Sequence, residues 1–532
     1  MPPKGILFIF NSMKDNLTEN ISTPIFTTEA MRALDQETKK QAEGDDIENG
    51  YALMKLAGKA LFDFVVQKLG NAPRKNVAVF IGGGNNGGDG LVLSSLLMEA
   101  GIPCTVFSLA EEDHFHNEAK MALDDFKANR GSLILTNGIL APNKSFTLVV
   151  DCMLGIGARG DLRTEYAKAV QSINAWGLPV IAADVPTGYD STNHHRGYPC
   201  LSAQDTLLFG MPRLDAYVRE GGEVFGNVHI APLTYPDYLI QKNASGIYLA
   251  DESLIPQLLP KRNDWSEKRE NGCALIIAGS VNMTGAAAMC TEAALRSGAG
   301  LVTLASPKSI IPILQSKMTE PVFCGLPDDG NGFLCPGNIP SLLQKTEYSQ
   351  AIAIGPGLST EPSVKETVIE YLSKVESTPI VVDADALNAI ASEVSILQAI
   401  TAPTILTPHK REYERLFGAL PATAEGICEH LRKNAESTNK IILLKGSPTW
   451  IAIPNGHIYV VPTANSGMAK GGSGDVLTGI IVSLLSQGVT PENSTILGAL
   501  LHQKAGKITR EKLGPFAMLP SDIIGNLYEA FP

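Results

Sequence analysis

The chain reads as two successive doubly wound α/β domains, each a mostly parallel sheet covered by helices on both faces. Three features predict this. Short β-rich segments alternate with helical patterns along most of the length, the signature of βαβ units. At 532 residues the chain is too long for one core. Glycine-rich turns follow strands in both halves, where open α/β sheets bind ligands outside the carboxyl ends of their strands.

Apolar residues at 44% and charged residues at 18% describe an ordinary globular protein. The balance of 43 Lys+Arg against 55 Asp+Glu gives a net charge of −12, which argues against a general binder of nucleic acid or anionic membrane. Backbone N–H groups can still cradle phosphates, whatever the net charge. The eight cysteines (104, 152, 200, 273, 290, 324, 335 and 428) show no Cys-x-x-Cys pair and no zinc spacing, so free thiols in a reducing compartment are expected. No apolar run has the length to span a bilayer, and residues 5–10 are too short a run for a secretory signal. A cytoplasmic enzyme is the expectation.

Taken in order, residues 1–27 lack periodicity and are expected to be a loose leader, as from an early start codon. Over 28–69 the spacing of Met31, Leu34, Met54, Ala57, Leu61 and Val65 is helical. Strands are expected at 77–81, 104–108, 148–152, 180–184, 206–209 and 228–230, within a first domain of 28–240. The aperiodic run 235–246 marks the boundary. In a second domain of 246–532, strands are expected at 274–278, 301–305, 351–354, 380–383, 404–406, 441–444 and 450–453, with helices that include 286–297 and 478–486.

After the first strand comes Gly82-Gly83-Gly84-Asn85-Asn86-Gly87-Gly88-Asp89-Gly90, leading into a helical run at 91–97. Strand, glycine loop and helix make a phosphate-cradling turn. The usual dinucleotide spacing is interrupted by Asn85, Asn86 and Asp89, whose amides and carboxylate can hold ribose hydroxyls or a cation. Asp151 stands at the next relevant strand end, ahead of the turn Gly155-Ile156-Gly157-Ala158-Arg159-Gly160-Asp161. Asp184-Val185-Pro186-Thr187-Gly188 repeats the arrangement one unit later. Each aspartate alone could be a helix cap. Together, such oxygen ligands on one rim suit a large monovalent or a hard divalent cation.

The densest motif lies near the C-terminus. Asn465-Ser466-Gly467-Met468-Ala469-Lys470-Gly471-Gly472-Ser473-Gly474-Asp475 packs four glycines and one carboxylate ahead of the apolar run 476–482. A helix starting there aims N–H groups at a phosphate, and Asp475 could take a proton from an attacking hydroxyl. The same half carries a turn at 278–287 that includes Ala286, a strand-end turn at Gly357, and Asp383 and Asp385, which could cap a helix or bind. His409-Lys410-Arg411-Glu412-Tyr413-Glu414-Arg415 follows another strand, and Lys445-Gly446-Ser447-Pro448-Thr449 links two strands. His409 is a cap or a ligand; Lys445 in this setting supports a nucleotide.

On these motifs, residues 28–240 resemble the epimerase domain of the bifunctional NAD(P)H-hydrate repair enzymes, and 246–532 resemble its dehydratase partner, a relative of ribokinase-like kinases. The resemblance implies a Rossmann-like three-layer domain followed by a ribokinase-like α/β domain. It implies that residues 85–89, 155–161 and Asp184 contact the hydrated dinucleotide, with potassium on Asn86, Asp151 and Thr187. Asp184 is the candidate base there, and threonine at 187, where serine is frequent, keeps the hydroxyl. In the dehydratase it implies substrate contacts at Ala286, Gly357, 409–415 and Asp475, and nucleotide contacts at 445–449 and 465–474. The implied activity interconverts the R and S epimers of NADHX and NADPHX. It then dehydrates the S form with ADP and Mg²⁺ through a phosphorylated intermediate, releasing AMP and phosphate. Substrates and ADP are the expected partners, in a homo-oligomer without nucleic acid or membrane. Two alternatives stay open: ATP as donor, and a ribokinase-like vitamin or sugar kinase with a non-catalytic nucleotide-binding N-terminal module. Glu267-Lys268-Arg269 stands where the family commonly carries His-Lys-Gly, keeping the lysine and replacing the histidine and glycine.

Overall fold

The computed structural model describes residues 22–41, 45–72 and 75–532; the expected leader falls mostly outside them. The chain divides into two compact units, one of Pro24–Ile247 with Thr423–Glu425, the other containing Tyr248–Ala422 and Gly426–Pro532. The division falls after the aperiodic run at 235–246, and inside that run Asp237–Asn243 is a helix. It forms because Tyr235 and Leu239 complete a small apolar cluster with Phe26, Met31 and Leu34.

In the first unit, helices α1 (Thr28–Gln41) and α2 (Asp46–Leu69) precede β1 (Val77–Ile81), α3 (Asn85–Glu99), β2 (Cys104–Ser108) and β3 (Leu133–Leu135). β4 (Leu148–Cys152), β5 (Val180–Ala183), β6 (Asp205–Phe209) and β7 (Asn227–Ala231) follow. Spatial order is β7-β6-β5-β4-β1-β2-β3, with every neighbouring pair parallel. The chain leaves β1 toward β2 and β3, then returns to β4 on the other side. That reversal opens a crevice beyond the carboxyl ends of β1 and β4. Strands β1, β4, β5 and β6 are buried at every position, as a doubly covered parallel sheet requires. β3 was not expected; three partly exposed residues at an edge leave no readable alternation.

Helix α3 begins at Asn85, six residues before its apolar run, so Gly87, Gly88 and Gly90 are helical. Packing requires them. A Cβ on Gly87 would lie 1.8 Å from the Gly82 carbonyl oxygen. Gly87→Ala is expected to destabilise the first unit by about 1–3 kcal/mol, read from its denaturation midpoint.

The second unit runs β8 (Cys273–Ile277), α4 (Thr284–Arg296), β9 (Leu301–Pro307), β10 (Val322–Leu326), β11 (Ala351–Ile354) and β12 (Ile380–Val382). Then come α5 (Ala384–Ile390), β13 (Thr404–Leu406), α6 (Lys410–Phe417), β14 (Ile441–Leu444), β15 (Thr449–Ala452), β16 (Ile458–Val461), α7 (Ser473–Ser486) and α8 (Pro491–Ala517). These strands lie in the order β16-β15-β14-β13-β12-β11-β8-β9-β10. They are parallel from β14 to β10, while β15 and β16 form an antiparallel hairpin on β14. β10 and β16 were also unforeseen. β10 is partly exposed, and β16 is a short buried run that periodicity cannot tell from a helix. Helix α7 is buried along most of its length and packs on α4 and α8, so it is apolar all round rather than on one stripe. It starts at Ser473, placing Asp475 in its first turn.

The eight cysteines are free. No helix of the described residues is long and apolar enough to cross a membrane.

Candidate active sites

A cavity of about 580 Å³ opens at the crevice of the first unit. Its floor comes from the turns after β1 and β4 and from Asp184 after β5; α1 and α2 supply a wall. Of the expected site residues, Asn85, Asn86, Asp89, Gly155, Ile156, Gly157, Ala158 and Asp184 line it. Gly87 and Gly88 are instead buried inside α3. Arg159, Gly160 and Asp161 are exposed and do not line the cavity, and the Gly160 N–H donates to Asp190 Oδ2 at 3.2 Å. The first half of the glycine turn thus lines the cavity, while its second half bends onto Asp190.

Asp184 holds a left-handed backbone conformation, φ 66°, which costs a non-glycine residue of order 1–3 kcal/mol. The cost is met by fixed contacts. The Asp184 N–H donates to Leu207 O at 2.8 Å, and the buried Arg213 guanidinium clasps both its carboxylate and, at 2.9 Å, its carbonyl. Arg213 also pairs with buried Asp215 at 3.2 Å. Two further cavity groups, Asp35 on α1 and Tyr235, share a 2.7 Å hydrogen bond from the phenol. Burial, then the charge of Asp184, raises Asp35 to about 6 against the pull of Tyr235, Lys39 and Arg213. Burial also lifts Asp89 well above the carboxylate range, with Asp184 and Asp35 adding to it. Sequence reasoning missed Asp35, Arg213 and Tyr235. Arg213 follows a strand end and was findable on that ground; Asp35 looks like any polar position on an amphipathic helix.

Beneath the cavity, Asp151 is fully buried and accepts from the Thr187 hydroxyl at 2.8 Å, the Thr187 N–H at 2.8 Å and the Met153 N–H at 3.1 Å. Asn86 donates to the carbonyls of Leu154 (2.9 Å) and Ala183 (3.0 Å). Its amide oxygen is buried with no hydrogen-bond partner.

In the second unit, Lys445 at the end of β14 reaches Asp383 at the end of β12, Nζ to Oδ1 2.7 Å. The other Asp383 oxygen accepts from Thr478 in α7 at 2.7 Å. Asp383 stands at the start of α5 yet makes no capping bond, so its side chain belongs to this cluster. Glu412 and Asp475 complete it: both are raised by burial and pulled down by Lys445, and Asp475 sits at about 7. One ammonium among three carboxylates leaves Asp475 poised to exchange a proton near neutral pH. Asp385 is spent elsewhere, accepting from the Ser359 N–H at 2.8 Å.

The glycine loop is built around this carboxylate. Gly472 has φ 100° and precedes α7, turning the chain so that the N–H groups of its first turn start beside Lys445. A Cβ on Gly474 would lie 3.2 Å from Lys445 Nζ. Lys470, however, donates to the carbonyls of Phe516 (2.8 Å) and Met518 (2.6 Å), pinning the loop rather than facing the cluster. Asn465 donates to Gly506 O at 2.8 Å, and Ser447 bonds Thr463 O. His409 caps α6 through Nδ1, accepting from Glu412 N–H at 3.1 Å. Tyr413 is wholly buried with its hydroxyl against His430 and Asn434, so it packs the core instead of meeting substrate. The helical period explains this, since α6 turns only Glu412 among its first residues toward Lys445.

Comparison with known proteins bears directly on these two clusters. A family model described as NAD(P)H-hydrate dehydratase matches residues 274–528, and one described as YjeF-related protein N-terminus matches 50–214. The bifunctional NAD(P)H-hydrate repair enzyme Nnr of Moorella thermoacetica is 35% identical over 480 residues, covering 89% of this chain and 90% of that protein. The chain belongs to the bifunctional NAD(P)H-hydrate repair enzymes. The enzyme of the same name from Escherichia coli is 31% identical, covering 90% of this chain and 88% of its own length. Among solved structures, an ADP/ATP-dependent NAD(P)H-hydrate dehydratase from Bacillus subtilis, co-crystallised with ATP/Mg²⁺, is 28% identical. It covers 53% of this chain and 96% of that one, with a TM-score of 0.45. Asp89, Asp151, Asp184 and Arg213 fall in the first unit's matched segment and Asp383, Glu412, Lys445 and Asp475 in the second's, while Asp35 and Tyr235 lie outside both.

Proposed function

We propose that the first unit interconverts the R and S epimers of NADHX and NADPHX, and that the second dehydrates the S epimer with ADP, giving AMP, phosphate and the reduced coenzyme. The observation that carries the reading is Asp475, a carboxylate poised near neutrality in the first turn of α7 beside Lys445 and a glycine loop. Hydroxide leaves poorly. With Asp475 taking its proton, the ring hydroxyl attacks the terminal phosphorus of ADP and AMP departs. Phosphate then leaves from carbon as the neighbouring ring carbon loses a proton and the double bond forms. Loop N–H groups and Lys445 stabilise the charge that develops on the transferred group. ADP as donor is part of this proposal. Release of AMP with recovery of reduced-nicotinamide absorbance, on mixing both hydrate epimers with ADP and Mg²⁺, tests it; turnover with ATP alone would overturn the donor assignment, and a stable phosphorylated product would favour the kinase.

Asp475 acts as base only when ionised. Below about pH 7 the dehydration kcat/KM is therefore expected to fall tenfold per pH unit. A rate flat down to pH 5 would contradict that role.

Potassium at Asn86, Asp151 and Thr187 belongs to the same proposal. The orphaned Asn86 oxygen and a single carboxylate fit a weakly charged cation better than a divalent one. When bound, it would supply fixed positive charge beside Asp151. Among the described residues no group of three His, Cys, Asp or Glu side chains could hold a metal, which suits Mg²⁺ that arrives on nucleotide phosphates. A cytoplasmic setting, in keeping with eight free cysteines, and a homo-oligomer complete the reading.

A further inference from the structure

The cleft of the first unit holds a carboxylate that the chemistry above leaves without a task. We propose that Asp35 is a second catalytic residue of epimerisation, the acid that protonates the departing ring hydroxyl, working with Asp184 as its base. This rests on the epimerase reading of the cavity.

The geometry separates the two carboxylates. Asp184 is clasped by the Arg213 guanidinium. Asp35 has no cation bonded to it, although three stand near. Lys39 is paired with Glu118 at 2.6 Å, Arg32 donates to the Ile156 carbonyl, and Arg213 serves Asp184 and Asp215. The Tyr235 hydroxyl fixes one Asp35 oxygen at 2.7 Å, and among the described residues no hydrogen bond engages the other. Asp35 is thus held by one oxygen and can present a proton on the second to the cavity it lines. Its groups' influences agree: burial and Asp184 raise it to about 6, while Tyr235, Lys39 and Arg213 lower it, and Asp35 in turn raises Asp89 on α3. Of two carboxylates in one cleft, the one kept protonated by burial serves as the acid and the one clasped by a cation as the base.

The reaction balances with these two groups. Asp35 gives its proton to the hydroxyl oxygen, the carbon–oxygen bond breaks, and the ring nitrogen lone pair forms a C=N bond as water leaves. Water then attacks the opposite face, the C=N electron pair returns to nitrogen, and the proton released from that water passes to Asp184. Exchange with solvent restores Asp35 and Asp184 for the next turnover.

The test follows conversion of the R epimer of NADHX by the full-length protein. Asp35→Asn is expected to lower epimerisation kcat by about 100-fold or more with KM changed little, while dehydration of the S epimer by the other unit continues and the denaturation midpoint of the first unit stays at the wild-type value, which shows that the epimerase unit is folded. Wild-type kcat/KM should fall tenfold per unit above about pH 6. Tyr235→Phe should move that limb to higher pH, since the phenol favours the ionised carboxylate. The proposal is overturned if D35N epimerises within threefold of wild type, or if the alkaline limb persists in D35N. It is equally overturned if the limb vanishes in D89N and not in D35N, which gives the proton to Asp89. A wild-type chain that fails to interconvert the epimers at all removes the epimerase reading itself, and this inference with it.

Discussion

Asp475→Asn will cut the ADP-driven recovery of NADH from its S hydrate by about 10²–10⁴-fold while epimerisation continues. Asparagine is nearly isosteric and can keep the packing of the first turn of α7, but it cannot accept the hydroxyl proton. The acid limb near pH 7 should vanish with it. Misfolding can be told apart by its sign. The folded-state value of about 7 lies above the ordinary 3.8, so the folded chain holds that proton more tightly than the unfolded one. The stability this contributes is fully present below about pH 4 and is lost as pH rises through 7. At pH 8 the variant is therefore expected to unfold at a temperature no lower than wild type through this term. A variant that loses dehydration and also melts early would point to a structural role for Asp475.

Asp184→Asn is expected to show the converse pattern: epimerisation lost by about 10²–10⁴-fold, with dehydration of the S epimer intact. The loss reflects a missing base: of the other carboxylates that line the cavity, Asp89 is held protonated by burial and Asp35 serves as the acid. Arg213 keeps Asp215 as a charged partner at 3.2 Å and the Asp184 carbonyl as an acceptor, so the guanidinium is not stranded. Removing Arg213 would be the blunter experiment, because it leaves two carboxylates in a buried site, a change that costs of order 3–5 kcal/mol. Chromatographic measurement of the two epimers over time checks the prediction. Epimerisation within tenfold of wild type in D184N would remove Asp184 from the reaction.

Both expectations concern residues that sequence made visible, and the contrast with those it did not is instructive. Asp475 follows a glycine at a helix start, and Asp184 directly follows a strand, four residues before Gly188, places where local backbone chemistry announces a ligand. Asp35 and Tyr235 carry no such mark: they lie 200 positions apart and meet only because α1 and the segment after β7 pack against each other. Asp383 was legible as a strand-end acid, yet its choice between capping α5 and holding Lys445 depended on β14 running beside β13 and α7 lying against the sheet. Tyr413 erred the other way. It belonged to a convincing polar segment, and the helical period of α6 turned it into the core.

From the sequence alone came the two doubly wound domains, the strands buried on both faces and the glycine loops with their neighbouring acids, because hydrophobic period and backbone freedom act over a few residues. Tertiary structure decided which of those acids share a cavity, which are neutralised by Arg213 or Lys445, and where the edge strands end. Those outcomes depend on burial and on charges brought together from distant segments, and proton affinity in a low-dielectric cleft is set by such neighbours rather than by the residue's own identity.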